Sequence, residues 1–390
     1  IRTALRWSLE HGEARLALEI AANAWIFWNH QGLVGEGREW LAAALRSAGE
    51  AEPELVVRAL IGAGELAVTQ DDRTTAEKYL SRARDIAEAS DDFVTAAAAL
   101  RTMVSLPYRA GDLTTAARGF EEALALARRG GNPSQVSTIL AGLALIDEDQ
   151  GRLEEAESHA AEALSLRKQT QDQYGVADAL LTWAEISINR GRLDEAGRAL
   201  REALDISTRN GFQDIGAWQA AYRGKLEMCW GNTDEGVRLL EDALHRFQER
   251  GQPNGAAWAL RHLGKARLEQ GDLTRAEVAL VDALDLAVSH VIPDAPRILE
   301  ALGQVAVAAG DTAHAAFVLA AARHLREEMG LAIAVAEQPE SRAAWSAVER
   351  QLGADHAATI STEAAGVPLG DLPGVLARRS AMRRFAPPAD

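Results

Sequence analysis

At two places in this sequence, two acidic residues stand side by side, a spacing that suggests acid-base chemistry. Glu154 and Glu155 lie in the segment GRLEEAESHAAEAL, and Asp194 and Glu195 lie in GRLDEAGRALREAL. Neighbouring carboxylates can act as general acid and general base when their surroundings push their pKa values apart. The second segment begins forty residues after the first. Such close copies indicate a structural repeat, and we expect both pairs in solvated first turns of helices, where negative charge favours the helix dipole.

The period of forty residues extends through most of the chain. Eight anchor positions follow it, with one-residue displacements at the first and the last: Gly32, Asp71, Gly111, Gly151, Gly191, Gly231, Gly271 and Gly310. The residue five positions after each anchor is Gly or Ala, and the residue twelve positions after it is Ala. The residue nine positions after the anchor is large in every unit but one, and the residue seven before it is Gly, Ala or Val except for Trp25.

These columns predict a pair of antiparallel helices in each unit. A Gly can adopt the left-handed conformation that ends a first helix, and polar residues after it suit the N-terminus of a second helix. Small residues let the two backbones approach where the helices cross, and the large residue fills the groove beside them. Each pair leaves an apolar side that only the next pair can cover, so we expect the units to stack.

Composition agrees with an all-α protein. Hydrophobic residues make up 47% of the chain, charged residues 25% and aromatic residues 5%, and Ala and Leu dominate, which favours helix over strand. The formal net charge of −16 disfavours direct binding to nucleic acid, and no apolar run is long enough to span a membrane. A single cysteine, Cys229, excludes an internal disulfide and fits a cytoplasmic location.

The columns resemble the tetratricopeptide repeat. The shared features are the small residue before the turn, the GDL turn at Gly111 and Gly271, the small residue five positions later and the Ala twelve positions later. The resemblance covers about residues 13–331 and implies a right-handed superhelical array of antiparallel helix pairs. This sequence departs from the family in its period of forty instead of roughly 34 residues. It also lacks the aromatic residue expected four positions before the anchor.

The two ends carry a narrower resemblance. The opening segment, ALRWSLEHGEARLALEIAANAWIFWNHQGLVGEGREWLAAAL, and the closing segment beginning AAFVLAAARHLREEMGLAI are similar to the repeat region of actinobacterial signal-transduction ATPases of the LuxR type. The resemblance implies a sensor domain of a transcriptional regulator, relaying a bound state to ATPase and DNA-binding domains absent from this chain. A free-standing scaffold or adaptor is the alternative, and an enzyme built on a helical array has no positive support.

The sequence predicts four segments. Residues 1–12 are expected to end a preceding helical element, 13–331 to form eight helix pairs, 332–379 to form a helical cap, and 380–390 to be a mobile basic tail. Within the cap we expect helices from Pro339 to about Gln351, from Ala354 to Ala365 and from Leu372 to Arg379, with the last two as a closing pair.

No catalytic, cofactor-binding or metal-binding motif survives inspection. The chain contains no phosphate loop with Gly-Lys-Ser, no HExxH motif and no Cys/His cluster. The segment GLVGEG at residues 32–37 superficially matches a nucleotide loop, but its Gly32 and Gly37 fill the anchor and small-residue columns. We therefore predict no catalytic residues, no cofactor and no metal.

The tetratricopeptide resemblance implies that the first helix of each unit lines the concave side, through the positions 13, 10, 6 and 3 before the anchor. The candidate binding residues at these positions are Trp218, Lys225, Met228, Trp258, Arg261, Lys265, Arg297, Arg101 and Tyr108, with Glu148, Asp178 and Glu185 in the middle units. Two Trp and two Lys side chains predict a cradle for a peptide, protein or small effector with anionic or aromatic groups. The alternative is that the Trp residues fill the core. A homo-oligomer is also compatible with the sequence.

Overall fold

The computed structural model describes residues 1–30, 32–49, 51–70, 72–290, 294–333 and 338–385. Within these ranges the chain is helical with short turns and contains no strand. No helix in the described ranges is long and apolar enough to cross a lipid bilayer. The helices fall into two compact units, one formed by residues 1–108 and 112–143 and the other by residues 109–111 and 144–390.

The first unit contains seven helices and the beginning of an eighth. They are α1 (Arg2–Glu10), α2 (Ala14–His30), α3 (Val34–Ser47), α4 (Pro53–Thr69), α5 (Arg73–Ala89), α6 (Phe93–Arg109), α7 (Leu113–Arg129) and α8 (Pro133–Asp149). Each even-numbered helix from α2 onward is the first helix of a predicted pair. The pair α2 and α3 and the pair α4 and α5 both pack closely.

The second unit continues the same alternation. Its helices are α9 (Leu153–Gln169), α10 (Gln173–Asn189), α11 (Leu193–Asn210), α12 (Gln213–Cys229), α13 (Thr233–Glu249), α14 (Pro253–Glu269), α15 (Leu273–His290), α16 (Ala295–Ala308), α17 (Thr312–Met329), α18 (Gln338–Leu352), α19 (Ala354–Ala365) and α20 (Leu372–Phe385). The two helices of each pair from α10 to α17 make extensive contacts. The predicted all-α array of helix pairs is therefore confirmed.

The anchor glycines end the first helices in the predicted way. Every described Gly anchor has a positive φ, for example +76° at Gly151 and +75° at Gly191. Asp71 lies outside the described residues. The turns between pairs use the same conformation, with φ of +65° at Gly131 and +55° at Gln171. A left-handed residue thus recurs about every twenty residues, and the period of forty contains two similar turns.

Gly191→Ala is expected to lower the free energy of unfolding by about 1 kcal/mol, because the left-handed conformation costs an L-residue roughly 1–2 kcal/mol. Nothing lies within 4 Å of a Cβ added at Gly191, so the cost comes from the backbone alone. Gln171→Gly, at a position that already has φ of +55°, is expected to stabilise by up to about 1 kcal/mol. Urea denaturation followed by circular dichroism measures both, and equal midpoints for Gly191→Ala and the parent would contradict the argument.

The small and large columns meet inside each pair. A Cβ added at Gly264 would lie 2.4 Å from Leu280 Cγ, so the column seven before the anchor directly contacts the column nine after it. On α3, a Cβ at Gly37 would lie 2.9 Å from Trp28 Cβ of the same pair and 2.6 Å from Leu66 Cδ1 of α4 in the next pair. The GLVGEG segment therefore packs against core side chains, and its last glycine is required by close contact rather than by a ligand.

Polar residues after the anchor cap the second helices. Asp112 accepts a hydrogen bond from the Thr115 amide at 2.9 Å, and Asp311 accepts one from the His314 amide at 3.1 Å. Each satisfies a backbone donor that the first turn leaves without a helical partner. The same chemistry explains why Asp follows Gly at several anchors.

The C-terminal helices differ from the expected closing pair. α19 packs mainly on α17 and more lightly on α18, whereas α20 packs on α15 and on the 3-10 turn Leu369–Asp371 before it. In α19, the side chains of Ala357, Ile360 and Ala364 are buried, so this helix covers the apolar side of α17. α20 extends beyond the predicted end at Arg379, and residues 386–390 of the predicted tail lie outside the described residues.

Candidate binding face

The first helices of the second unit share one surface. α10 packs beside α12, α12 beside α14, α14 beside α16 and α16 beside α18. In a flat row with helices 8–10 Å apart, α8 and α16 would be separated by roughly 30–40 Å. Arg297 of α16 nevertheless forms an ion pair with Asp149 at the end of α8. The unit must curve strongly, and we call the first-helix surface inside this curve, which carries Glu148, Glu185 and Lys225, the inner face.

Carboxylates on α8 and α10 form the acidic part of the inner face. Asn189 donates from Nδ2 to Glu148 Oε1 at 2.5 Å, and the Tyr222 hydroxyl donates to Glu185 Oε2 at 2.6 Å. Burial and the nearby charge of Glu185 raise the pKa of Glu148 to about 8. Burial also raises the pKa of Asp178. The inner face thus holds carboxylates that are costly to ionise.

Basic side chains on α12 and α14 continue the inner face. Lys225 donates from Nζ to Asn189 Oδ1 at 2.5 Å, which connects α12 to the acidic part. Arg261 donates from Nε to Asp294 Oδ2 at 3.0 Å, and both side chains are largely buried. The structure therefore places these two predicted binding residues on a common surface, each in contact with a polar group of the same unit.

The other two predicted basic residues contact carboxylates from outside the central helices. Lys265 Nζ lies 3.5 Å from Glu340 Oε2, at the beginning of α18. Arg297 pairs with Asp149, whose backbone carbonyl also accepts a hydrogen bond from the Ala332 amide at 2.7 Å. Elements at both ends of the unit thus supply carboxylates to its basic side chains.

The aromatic side chains form a packed cluster rather than two parallel rings. Trp218 and Trp258 meet edge to face with centroids 6.1 Å apart, and Tyr222 contacts Trp258 at 5.1 Å. Trp218 also packs on Phe247 at 4.9 Å. Trp258 is only 9% exposed, although the Lys225 ammonium lies 5.9 Å from its ring centroid. Trp258 contributes to the core, and a binding role for the two Trp residues stays a prediction.

His262 is a residue of the inner face that the sequence did not single out. Its ring lies 3.9 Å from that of Trp258, it is 3% exposed, and its Nε2 has no hydrogen-bond partner among the described residues. Burial, reinforced by nearby positive charges, lowers its pKa well below the ordinary value, so the imidazole is neutral. The contributing charges belong to Arg261, Lys225, Lys265 and Arg297. A signal was available, since His262 shares the column nine before the anchor with Tyr222.

Three further predicted binding residues complete the set. Arg101 and Tyr108 are half-buried on α6 of the first unit. Met228 packs inside its own helix pair, because a Cβ added at Gly236 of α13 would lie 2.7 Å from Met228 Cγ. Within the second unit the structure therefore groups the basic and aromatic candidates of α12, α14 and α16, whereas Met228 contacts the second helix of its own pair.

A cavity of about 340 Å³ lies between α14, α16 and α18. Its walls are largely apolar, including Val307, and Lys265, Gln304 and Glu340 supply polar atoms. Burial raises the pKa of Glu269, which also lines it. The cavity adjoins the inner face and has the size and mixed lining of a small-ligand or side-chain site.

The paired carboxylates that suggested acid-base chemistry lie in first turns of second helices. Glu154 is near Arg190 at 3.3 Å, and Glu195 is near Arg192 at 3.5 Å. In these exposed ion pairs the Arg side chains balance the negative charge of the acids. The acidic side chains also interact favourably with the dipole at the N-terminus of the second helix.

The last chemical features to consider are the thiol of Cys229 and clusters of side chains that could bind a metal ion. Burial raises the pKa of the Cys229 thiol, which disfavours the nucleophilic thiolate. Among the described residues, no group of three His, Cys, Asp or Glu side chains is arranged to hold a metal ion.

Comparison with known proteins identifies the kind of array. A family model described as MalT-like TPR region matches residues 19–223. No match was found among curated proteins. Among solved structures, the apo form of RapI is similar, with a TM-score of 0.59 and 11% identity, over 69% of this chain and 97% of that one.

Two further structures have the same architecture. Aspartyl phosphate phosphatase F from Bacillus subtilis aligns with a TM-score of 0.59 and 12% identity, over 72% of this chain and 73% of that one. The Rap conjugation gene regulator of the plasmid pLS20, in complex with the Phr* peptide, aligns with a TM-score of 0.55 and 18% identity, over 74% of this chain and 76% of that one. At these identities the likeness shows a tetratricopeptide-like solenoid.

Proposed function

The chain belongs to the family of MalT-like TPR regions, and from this premise we propose that it is the sensor domain of a bacterial transcriptional regulator and binds a peptide on its inner face. The observation that carries the proposal is the grouping of charged and aromatic side chains from successive first helices on one curved surface. A peptide in complex with a structurally similar gene regulator supports the choice of ligand.

The inner face suits a peptide because its charges are divided. Glu148 and Glu185 lie on α8 and α10, whereas Lys225, Lys265 and Arg297 lie on α12, α14 and α16. An extended peptide across several first helices can place opposite charges against the two parts. Within the aromatic cluster, Trp218 is half-buried and offers apolar area to a peptide side chain.

The curvature supports the proposed regulatory role. Successive pairs pack through their first helices, so a ligand that spans several pairs can change the angle between them. We propose that this change is relayed to ATPase and DNA-binding domains of the intact regulator in a cytoplasmic setting. The domain itself is proposed to be non-catalytic and not to contact nucleic acid.

A pool of random heptapeptides tests the proposal directly. We expect the chain at about 50 µM to retain a subset of the pool in affinity-selection mass spectrometry, which corresponds to dissociation constants of micromolar order. Lys225→Met is expected to weaken the retained peptides about tenfold, because a charge-assisted hydrogen bond is lost.

Lys168→Met is the matched control for this experiment. Lys168 is half-exposed on the second helix α9 and lies 3.1 Å from Glu202, away from the inner face. It should leave peptide affinity unchanged, and both variants should keep the melting curve of the parent. Retention of no peptide, or equal losses in both variants, would refute the inner face as a peptide site.

The alternative function is a free-standing scaffold or adaptor. It is favoured by the same family match, because a tetratricopeptide-like array holds protein partners without an ATPase. The two functions differ in what surrounds the repeat region in the intact gene. A reading frame with a nucleotide-binding module and a helix-turn-helix module would select the regulator.

A further inference from the structure

The basic side chains of the inner face are held by the protein's own carboxylates. Asp149, at the end of α8, pairs with Arg297, and Glu340, at the beginning of α18, lies 3.5 Å from Lys265. Asp149 and Arg297 are 148 positions apart in the chain. Both acids therefore reach the inner face from elements that flank the central first helices α10, α12 and α14.

Asp149 and Glu340 differ in their exposure to solvent and in the number of contacts that hold them. Asp149 is about 14% exposed, and its backbone carbonyl is also bonded to the Ala332 amide at 2.7 Å. Glu340 is 53% exposed and makes its contact at the edge of the cavity between α14, α16 and α18. An exposed ion pair contributes little stability, so Glu340 can be displaced at small cost.

His262 indicates that these carboxylates do not satisfy the whole site. Within the described part of the chain its buried Nε2 has no hydrogen-bond partner, and it lies among the charges of Arg261, Lys225, Lys265 and Arg297. A neutral imidazole can present its N–H at Nε2. In a positive environment the complementary group is an anionic acceptor, and a carboxylate has both the charge and the lone pairs required.

We propose that the inner face is an acidic-ligand site in which Asp149 and Glu340 are internal competitors, and that a ligand carboxylate opens the curved unit by replacing them. The ligand carboxylate contacts His262 and takes over Lys265 and Arg297. Release of the Asp149 carboxylate removes an ion pair between the end of α8 and α16, and opening then also requires the Ala332 amide to leave the Asp149 carbonyl. This inference rests on the proposed peptide-binding function and adds the ligand class and the conformational consequence.

Three heptapeptide pools test the ligand class. They differ only in a fixed central residue, which is Glu, Gln or Lys, and all carry blocked termini so that the central residue is the designed difference in charge. We expect the intact chain to retain the Glu pool about tenfold more than the Gln pool, the equivalent of one charged hydrogen bond. The Lys pool measures nonspecific attraction to a chain with net charge −16.

Removal of the internal competitors tests the mechanism. Asp149→Asn keeps the backbone acceptor for Ala332, and Glu340→Gln keeps the side-chain volume. Each is expected to raise affinity for the Glu pool about fivefold, because less competition opposes the ligand. Glu328→Gln, at a 59% exposed acid that is paired with His324, is the control for net charge and should change nothing.

His262→Phe tests the imidazole separately, since it keeps a buried ring and removes the donor. It is expected to weaken the Glu pool about tenfold and leave the Gln pool unchanged, with circular dichroism confirming that the variant is folded. Equal retention of the Glu and Gln pools, or lower affinity in Asp149→Asn, would overturn this inference while peptide binding stands. If the chain retains none of the three pools, the result contradicts both this inference and the proposed peptide-binding function.

Discussion

Glu300→Ala is expected to lower the free energy of unfolding by about 3–5 kcal/mol, the usual cost of removing one partner of a buried ion pair. Glu300 of α16 pairs with Arg326 of α17, and its other oxygen accepts a hydrogen bond from the Ser341 hydroxyl of α18 at 2.9 Å. Glu300 is 8% exposed and Arg326 is 5% exposed. The substitution leaves a buried guanidinium without its carboxylate and removes a hydrogen bond between α16 and α18.

Urea denaturation followed by circular dichroism measures the loss. Because the chain has nine Trp residues, the fluorescence difference between the chain and its Trp345→Phe variant reports whether α18 separates first. The double variant Glu300→Met with Arg326→Met provides the control. Replacing both charges by apolar side chains of similar size is often close to neutral, so the double variant should recover most of the lost stability. A double variant as unstable as Glu300→Ala would show that packing, and not an unpaired charge, dominates this contact.

Glu148→Gln is expected to raise stability at pH 8.5 by about 2 kcal/mol and to leave it nearly unchanged at pH 5. The pKa of Glu148 is raised from 4.5 to about 8 by burial and by the charge of Glu185. The folded state therefore binds more protons than the unfolded state between these values. Stability then falls as the pH rises from about 4.5 to 8, because folding must return a proton to a carboxyl that is ionised in the unfolded chain.

The glutamine variant removes this dependence and keeps the oxygen that accepts the hydrogen bond from Asn189. The other charges near Glu148 belong to Glu185, Lys225 and Asp149, and they remain in the variant. Denaturation midpoints at pH 5 and pH 8.5 provide the measurement. Glu122→Gln, at an exposed acid on α7, is the control and should behave like the parent. The same stabilisation of Glu148→Gln at both pH values would mean that ionisation of Glu148 is not the cause.

The helix pairs and their turns could be predicted from the sequence because they depend on local chemistry. A left-handed glycine such as Gly151 ends a helix wherever it stands, and an Asp such as Asp112 caps the next one. The contact between Gly264 and Leu280 repeats in other pairs because residues at fixed offsets from one turn meet at one crossing. The residue types at fixed offsets from the anchor were therefore sufficient to predict the helix pairs.

The composition of the inner face could be predicted only in part. Lys225, Lys265 and Arg297 were found because the first helix of every pair presents the same positions to one side. Trp258 was harder to assign, since a residue at the edge of that side can turn into the core, and its 9% exposure reflects packing with Trp218 and Tyr222. Nothing in the columns separates these two environments.

By itself, the sequence determined the helices, the pairing of each two helices and the side of each pair that carries charge, because these depend on contacts within about forty residues. Only the tertiary structure decided that Arg297 meets Asp149, that His262 is buried among cations and that α19 packs on α17. The physical reason is that such contacts depend on the small rotation between successive pairs. This rotation accumulates over the whole unit, and no single repeat records it.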